Sequence, residues 1–469
     1  MGEKKQMKKS VDGKRIWGII ELALFNFIFL GTEYMFDNMI AYTTNSKDVV
    51  LAQSYILGIS VLGFVLYPVI RKILAKRAKE IGFFLISTIS IVCIFVMQCH
   101  TSYGMTLTAG CIGFVLLGVV GSAVHYLLAV ILQNDENLAK TVGIAYAVGL
   151  LLQFLNNNLV HNDTVEAIVL SVFWVIFILI LLRLDDHEQI MVKEAKKTLK
   201  NPTIAGVILI VGVVLMTCIF ATLDNAVTLI HAAGNVDIEQ WPRLLLAVSG
   251  LIAGVLFDIK KRRYMNIIMY CVTLLSTICV LIIVSGGTFL IGLIVFYLSA
   301  GFFVVFFTTG FMELSSYMKV PQLWAGMGRA INNICAGIIG TASISLIQSG
   351  NSMFISMIAL VLFALISVTM FLYAGQLEKE DYQEEKTEVQ EENEKEKLWK
   401  FSKEFGLTVR EQEVLQVLLT SDDSVQEIAE QLFISRAALY RHIAILNKKT
   451  ETKSRIGLMQ FYYAWKNKK

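Results

Sequence analysis

Leu407-Thr408-Val409-Arg410-Glu411-Gln412-Glu413-Val414-Leu415, then Glu427-Ile428-Ala429-Glu430-Gln431-Leu432-Phe433-Ile434-Ser435, then Tyr440-Arg441-His442 form the most informative part of this chain. Thr408-Val409-Arg410-Glu411 has the pattern of a capping box, with Val414, Leu415, Leu418 and Leu419 along one side of the helix that follows. Ser424-Val425-Gln426-Glu427 repeats the pattern and starts a short helix through Leu432. Ser435 can cap a third helix reaching about Lys449, and a fourth runs from about Ser454 to Trp465. A short turn at Phe433-Ile434 between the second and third helices is a helix-turn-helix arrangement, which places the third helix for a major groove.

Charge agrees with that reading. Between Gln431 and Lys469 there are nine lysines and arginines against one acid, Glu451, whereas the preceding helices carry Glu404, Glu411, Glu413, Asp422, Asp423, Glu427 and Glu430. One-sided positive charge is a phosphate-binding footprint. A basic patch drawn to anionic lipid is the competing reading, but these charges lie within a capped four-helix pattern rather than beside an apolar span.

What precedes this module is of another kind. Of 469 residues, 55% are hydrophobic and 17% charged, too apolar for an ordinary soluble domain. About 30 Å of hydrocarbon needs roughly twenty apolar residues at 1.5 Å per residue. Such runs fall at 16–38, 49–70, 81–98, 105–131, 142–160 and 165–184, and again at 203–226, 241–258, 264–284, 288–313, 328–348 and 352–375. The expected fold is therefore all-α: about twelve transmembrane helices in two six-helix halves (16–184 and 203–375), joined by a cytoplasmic loop (185–202). A basic N-terminus (1–15) precedes the first helix, and an acidic linker (376–400) leads to the helix-turn-helix domain (401–469). The first run holds Glu21 and Asn26 and lacks a small-residue cleavage site, so it reads as a retained helix rather than a signal peptide.

Loop charges orient the chain. Arg71, Lys72, Lys76, Arg77 and Lys79, then Lys193, Lys196, Lys197 and Lys200, then Lys260, Lys261, Arg262 and Arg263 fall in alternate loops, and the intervening loops carry only Lys47 and, beside Trp241, Arg243. By the positive-inside rule both termini and the helix-turn-helix lie in the cytoplasm of a multi-pass plasma-membrane protein. Trp241 and Arg243 read as an outer gate or as an interfacial anchor. From Gln376 to Trp399 ten acids accompany four lysines, giving a solvated helix or a disordered tether without the heptads of a coiled coil.

The halves echo each other. Phe36-Asp37-Asn38 ends the first helix and Leu223-Asp224-Asn225 the seventh, with Gly63 and Gly250 at equal distances behind them. Gly254-Val255-Leu256-Phe257-Asp258-Ile259-Lys260-Lys261-Arg262-Arg263 resembles the loop signature of the major facilitator transporters, built from parallel repeats. The first-half copy, Tyr67-Pro68-Val69-Ile70-Arg71-Lys72, lacks the aspartate. The resemblance implies a central cavity around helices one and seven. Asp37, Asn38, Asp224 and Asn225 are then candidate ligand residues, the alternative being exposure to headgroups and water at the outer interface. Glu21 and His125 read as groups satisfied by a neighbouring helix; Asn156–Asn158 and Arg329 are further polar residues in or near spans.

The C-terminal segment resembles the LuxR/NarL-type helix-turn-helix through Leu407, Thr408, Arg410, Glu411, Glu413, Val414, Leu415, Glu427, Ile428, Ala429, Leu432, Ile434, Ser435 and His442. The resemblance implies binding of double-stranded DNA through the third helix, with Ser435, Arg436, Tyr440, Arg441, Lys448 and Lys449 as contacts. It also implies dimerisation through the fourth helix, at Leu458, Phe461, Tyr462 and Trp465. Ala438 and Tyr440 stand where the family carries threonine and lysine, so the operator should differ from that of typical members. His442 reads as a packing residue more readily than as a base contact. The whole architecture is similar to the membrane-embedded LuxR regulators of anaerobic gut actinobacteria.

No nucleophile–base grouping, phosphate loop or metal-ligand spacing appears, and the 7 cysteines lie in or beside apolar runs as packing residues. The chain is thus expected to be neither an enzyme nor a cofactor binder. A one-component regulator sensing an unidentified small molecule is the leading expectation; the alternative is a secondary transporter with a regulatory tail.

Overall fold

The computed structural model describes residues 2–133, 135–191, 201–232, 241–286, 289–348, 351–420 and 424–465, some of them by backbone alone. The chain divides into two compact units, Met1–Gln376 and Leu377–Lys469.

The described elements of the first unit are all helices: α1 (Gly2–Ala41), α2 (Ser46–Ile73), α3 (Lys76–Gln98), α4 (Tyr103–Ile131), α5 (Leu138–Leu159), α6 (Asp163–Met191), α7 (Pro202–Ala232), α8 (Trp241–Phe257), α9 (Met265–Val284), α10 (Phe289–Ser315), the short α11 (Pro321–Trp324), α12 (Met327–Gln348) and the first part of α13 (Ser352–Glu404), which continues into the second unit. Each expected span coincides with one of the long helices. Among the described residues, 10 are long and apolar enough to cross a membrane. The other two are α8, whose described apolar part is the shorter Leu244–Phe257, and α12, several of whose side chains lie outside the described set. The exact count of twelve crossings is therefore not reproduced by length and hydropathy.

Polar caps set several helix starts. Asn45 accepts the Asp48 N–H ahead of α2, and Ser102 accepts that of Met105 ahead of α4. Small residues bring α5 and α8 into near contact, since a Cβ on Gly143 would fall 2.5 Å from the Gly250 carbonyl and one on Gly254 2.8 Å from that of Ala139. Bundles without a hydrophobic drive between helices pack through such small residues. Buried aromatic rings fill the interior of the first half, among them Phe25, Phe29, Phe114, Trp174 and Phe177.

Of the two readings of the acidic linker, the structure has the helix: α13 runs unbroken over 53 residues, through the last span and the linker. The cause is composition: after Gly375 the chain has neither glycine nor proline before Gly406, and it is dominated by good helix formers. An i,i+4 pair, Lys400–Glu396 at 2.7 Å, supports its far end.

The second unit adds α14 (Val409–Thr420), α15 (Val425–Gln431), α16 (Arg436–Lys449) and α17 (Arg455–Ala464), closely as the caps suggest. Its core is Val414, Leu415, Leu418, Ile428, Leu439, Ile443, Leu446 and Leu458, closed on one side by Leu398 and Phe401 from the end of α13. Helix ends are shaped by one device used at three places. Gly406, Phe433 and Glu451 have φ of +61°, +52° and +56°. The following N–H groups of Leu407, Ile434 and Thr452 return to the carbonyls of Ser402, Ala429 and Asn447 at 2.8, 2.9 and 2.9 Å. This is the Schellman closure, which satisfies carbonyls otherwise orphaned at a helix end and turns the chain sharply.

Candidate DNA interface and polar sites of the membrane unit

Helix α16 is amphipathic in the way a recognition helix requires. Leu439, Ile443 and Leu446 are buried, whereas Arg436, Ala437, Tyr440, Arg441, Ala444 and Lys448 form the exposed face. Tyr440 is 55% exposed. Ser435 spends its hydroxyl on capping, accepting the Ala438 N–H at 3.2 Å. The turn before it presents Phe433 at 94% exposure. His442 is half-buried, and its Nδ1 has no hydrogen-bond partner among the described residues.

Lys449 is engaged inside the unit. Its Nζ donates to the Gly406 carbonyl at 2.7 Å and to Glu411 Oε2 at 2.7 Å. Glu411 Oε2 also accepts the Thr408 N–H at 2.8 Å, while the Glu411 N–H donates to Thr408 Oγ1 at 3.3 Å, completing the capping box. Burial alone would raise the Glu411 carboxyl, but Lys449 and Thr408 outweigh it and hold the group below its ordinary range. Arg410 ties α14 to α15, donating from Nη2 to the Leu432 carbonyl at 2.6 Å.

The expected dimerisation set divides. Leu458 and Tyr462 are buried in the unit's own core, and Phe461 and Trp465 pack edge-on against Phe401, at 6.1 and 5.4 Å between ring centres. These contacts arise because the end of α13 folds into this core. The apolar surface that α17 leaves outward is Ile456 and Tyr463, 67% and 59% exposed.

In the membrane unit, Asp37 and Asn38 lie half-buried on α1. Asp224 and Asn225 fall on the backbone of α7, with side chains outside the described set, as are those of Trp241 and Arg243. Of the four candidate ligand residues, only the side chains of Asp37 and Asn38 fall within the described set.

Two other polar constellations are assembled in this unit. The first is a latch. Asp258 Oδ1 and Oδ2 accept the N–H groups of Ala139 and Lys140, at the start of α5, at 3.1 and 2.6 Å. Arg262 pairs with Asp258 at 3.3 Å and with Glu313 of α10 at 2.9 Å, and reaches the Asp135 carbonyl at 3.1 Å. Arg15 meets Asp135 at 3.2 Å from the other side. Between these anchors Lys260, Lys261 and Arg262 adopt φ of +49°, +55° and +69°, a left-handed turn that persists where surroundings over-determine it. In the first half, Arg71 instead stacks on the Tyr126 ring at 4.5 Å and donates to the Tyr67 hydroxyl at 3.3 Å. The missing aspartate thus leaves the halves unlike at this end.

The second constellation joins opposite halves. Arg329, the third residue of α12, donates from Nη2 to Asn26 Oδ1 of α1 at 3.1 Å. Its guanidinium lies 5.4 Å from the Phe29 ring and 5.8 Å from that of Phe307 on α10. Nearby, Asn333 donates to Ser60 Oγ at 3.0 Å, linking α12 to α2. Sequence reading recognised Asn26 and Arg329 only as separate polar residues, and it missed Glu313.

Residues 406–462 match the family described as bacterial regulatory proteins, luxR family. No curated protein matches the chain as a whole. Among solved structures, it is similar to the outward conformation of FucP, a Major Facilitator Superfamily transporter (14% identity, TM-score 0.52, 76% of this chain and 98% of that one). It is similar also to the human organic anion transporter MFSD10 (13%, 0.53, 77% and 98%). A bacterial homologue of the iron transporter ferroportin in its outward-facing state matches comparably (13%, 0.55, 77% and 99%). At such identities the likeness concerns fold alone. The chain is therefore a multi-pass membrane protein in which a major-facilitator-like helical domain is fused to a luxR-family DNA-binding domain.

Proposed function

We propose that this protein is a membrane-bound, one-component transcription regulator, in which the transporter-like unit senses a small molecule and the C-terminal unit binds double-stranded DNA. The observation that carries the reading is α16: a helix whose apolar face closes a complete luxR-family core while its other face offers Arg436, Tyr440, Arg441 and Lys448 to solvent. Arginine and lysine on that face suit phosphates and guanine edges, and Tyr440 adds a contact of its own. Ser435 holds the start of the helix, and Lys449 braces it from within. Two copies pairing through Ile456 and Tyr463 of α17 would present two recognition helices to a two-fold operator.

A DNA-binding unit has to be cytoplasmic, which agrees with the basic loops around Arg71, Lys193 and Lys260. Asp37, Asn38, Asp224 and Asn225 remain the proposed ligand residues at the matching ends of α1 and α7. A ligand controls such a protein only by binding one arrangement of the bundle more tightly than another. The test is a gel-shift and footprint on promoter fragments from the protein's own genome, using full-length protein in nanodiscs. Protection of discrete operators, lost in Arg441→Ala, is expected; absence of any protected site would remove the regulatory reading.

The latch Asp258–Arg262–Glu313 favours a second reading, a secondary transporter with a regulatory tail, because it preserves one of the two loop signatures of that fold. Substrate-dependent flux into proteoliposomes, undiminished by deletion of 406–469, would support it.

A further inference from the structure

We infer that Arg329 is the anchor of an anion site in the membrane unit, and that its ligand is a small organic carboxylate with an apolar body. This rests on the sensing reading above for its biological use, but not for its chemistry.

Arg329 is 7% exposed, yet no carboxylate among the described residues lies within ion-pair distance of it. A guanidinium carries five N–H donors and no acceptor. Among the described residues one acceptor is provided, Asn26 Oδ1 at 3.1 Å, while the solvent-sealed Nε meets none. The rings of Phe29 and Phe307 stabilise the charge through their faces but accept no ordinary hydrogen bond in its plane. Glu33, two turns beyond Asn26 along α1, attracts the group through space, and its Oε1 already accepts from Gln53 at 3.0 Å. The first turn of α12 adds positive potential at the same place, because unpaired N–H groups gather at a helix start.

Buried charges in membrane bundles are costly and are retained where they pair or bind. Here the donors, the helix end and the rings are assembled from α1, α10 and α12, and what the set lacks is a negative group. A planar carboxylate matches the fork of a guanidinium, and the fully buried rings of Phe29 and Phe307 favour an apolar body over a hydrated inorganic ion.

The experiment is a thermal melt of purified full-length protein in nanodiscs, comparing sodium benzoate, octanoate and succinate with sodium chloride at equal ionic strength. Wild type is expected to gain about 2 °C or more with a monocarboxylate. Arg329→Met, which removes an unpaired buried cation, should melt no lower than wild type without anion and should not respond to it. Arg329→Gln serves as the second variant should the methionine form fail to express. A wild-type melt indifferent to all three carboxylates, a response surviving in both variants, or a marked loss of stability without anion in both would each overturn the site. DNA binding is measured on the same preparations. Operator binding without an anion effect would sink this inference alone, and an anion effect without operator binding would sink the regulatory reading alone.

Discussion

Glu411→Ala removes two things at once from the C-terminal unit: the carboxylate that closes the capping box of α14, and the partner of Lys449. The cap is worth about 1 kcal/mol, as such caps are in helices generally. The Lys449 contact is a charge-assisted bond at 2.7 Å to a carboxylate whose side chain is 7% exposed. Bonds of that kind contribute about 1.5–3 kcal/mol. A loss of about 2.5–4 kcal/mol follows, against a total of only about 5–14 kcal/mol for a unit of this size. Urea denaturation of the fragment Leu377–Lys469, followed by circular dichroism, reads the difference. Glu413→Ala is the comparison: its pair with Arg410 is 2.6 Å long but roughly half exposed on both sides, so about 0.5 kcal/mol or less is expected. The pH dependence gives an independent check. The folded carboxyl of Glu411 lies below its unfolded value, so its stabilisation is complete above the ordinary glutamate range and is lost as pH falls through the folded value. Wild type should therefore converge on Glu411→Ala in acid. Equal effects of the two substitutions, or a gap between wild type and Glu411→Ala that persists in acid, would refute the reasoning.

Further consequences concern the interface and the latch. Arg441→Ala and Lys448→Ala should each weaken DNA binding and lower the salt slope of the affinity by about 1, whereas Lys449→Ala should reduce stability more than the slope. Anisotropy titrations at several salt concentrations separate the two behaviours. Ile456→Asp should abolish paired binding on a two-site operator while leaving the circular dichroism of the unit intact; Leu458→Ala, at 0% exposure, should cost about 2–5 kcal/mol of stability instead. Arg262→Ala leaves Asp258 and Glu313 without their shared cation and should cost about 3–5 kcal/mol. Trypsin should then cut at Lys260–Lys261 faster than in wild type, and an unchanged cleavage rate would show that the left-handed turn is held by other contacts.

The helix-turn-helix was legible because its signals are local. Thr408, Ser424 and Ser435 each announce a helix start within three residues, and the structure starts α14, α15 and α16 there. The membrane helices were legible for a similar reason, since an apolar run needs no partner to be recognised. Rotation of each helix about its own axis is what such a run hides. Asn26 and Arg329, 303 residues apart, could not be paired without it. Glu313 was hidden in the same way at the end of α10. Leu458 and Tyr462 were implied as a dimer face by the family resemblance; in the unit itself they lie buried, with Phe401 from the end of α13 packed against Tyr462. For the acidic linker the charge density left a helix and a tether both open, and helix propensity agrees with the helix found in α13.

The most direct test is to map the genomic DNA bound by full-length tagged protein in its own host, beside an Arg441→Ala version, with and without candidate small molecules. A membrane-bound, ligand-responsive regulator should give discrete promoter peaks that change in height with one of the compounds and vanish in Arg441→Ala. Occupancy that is absent under every condition, or identical in the variant, would contradict it.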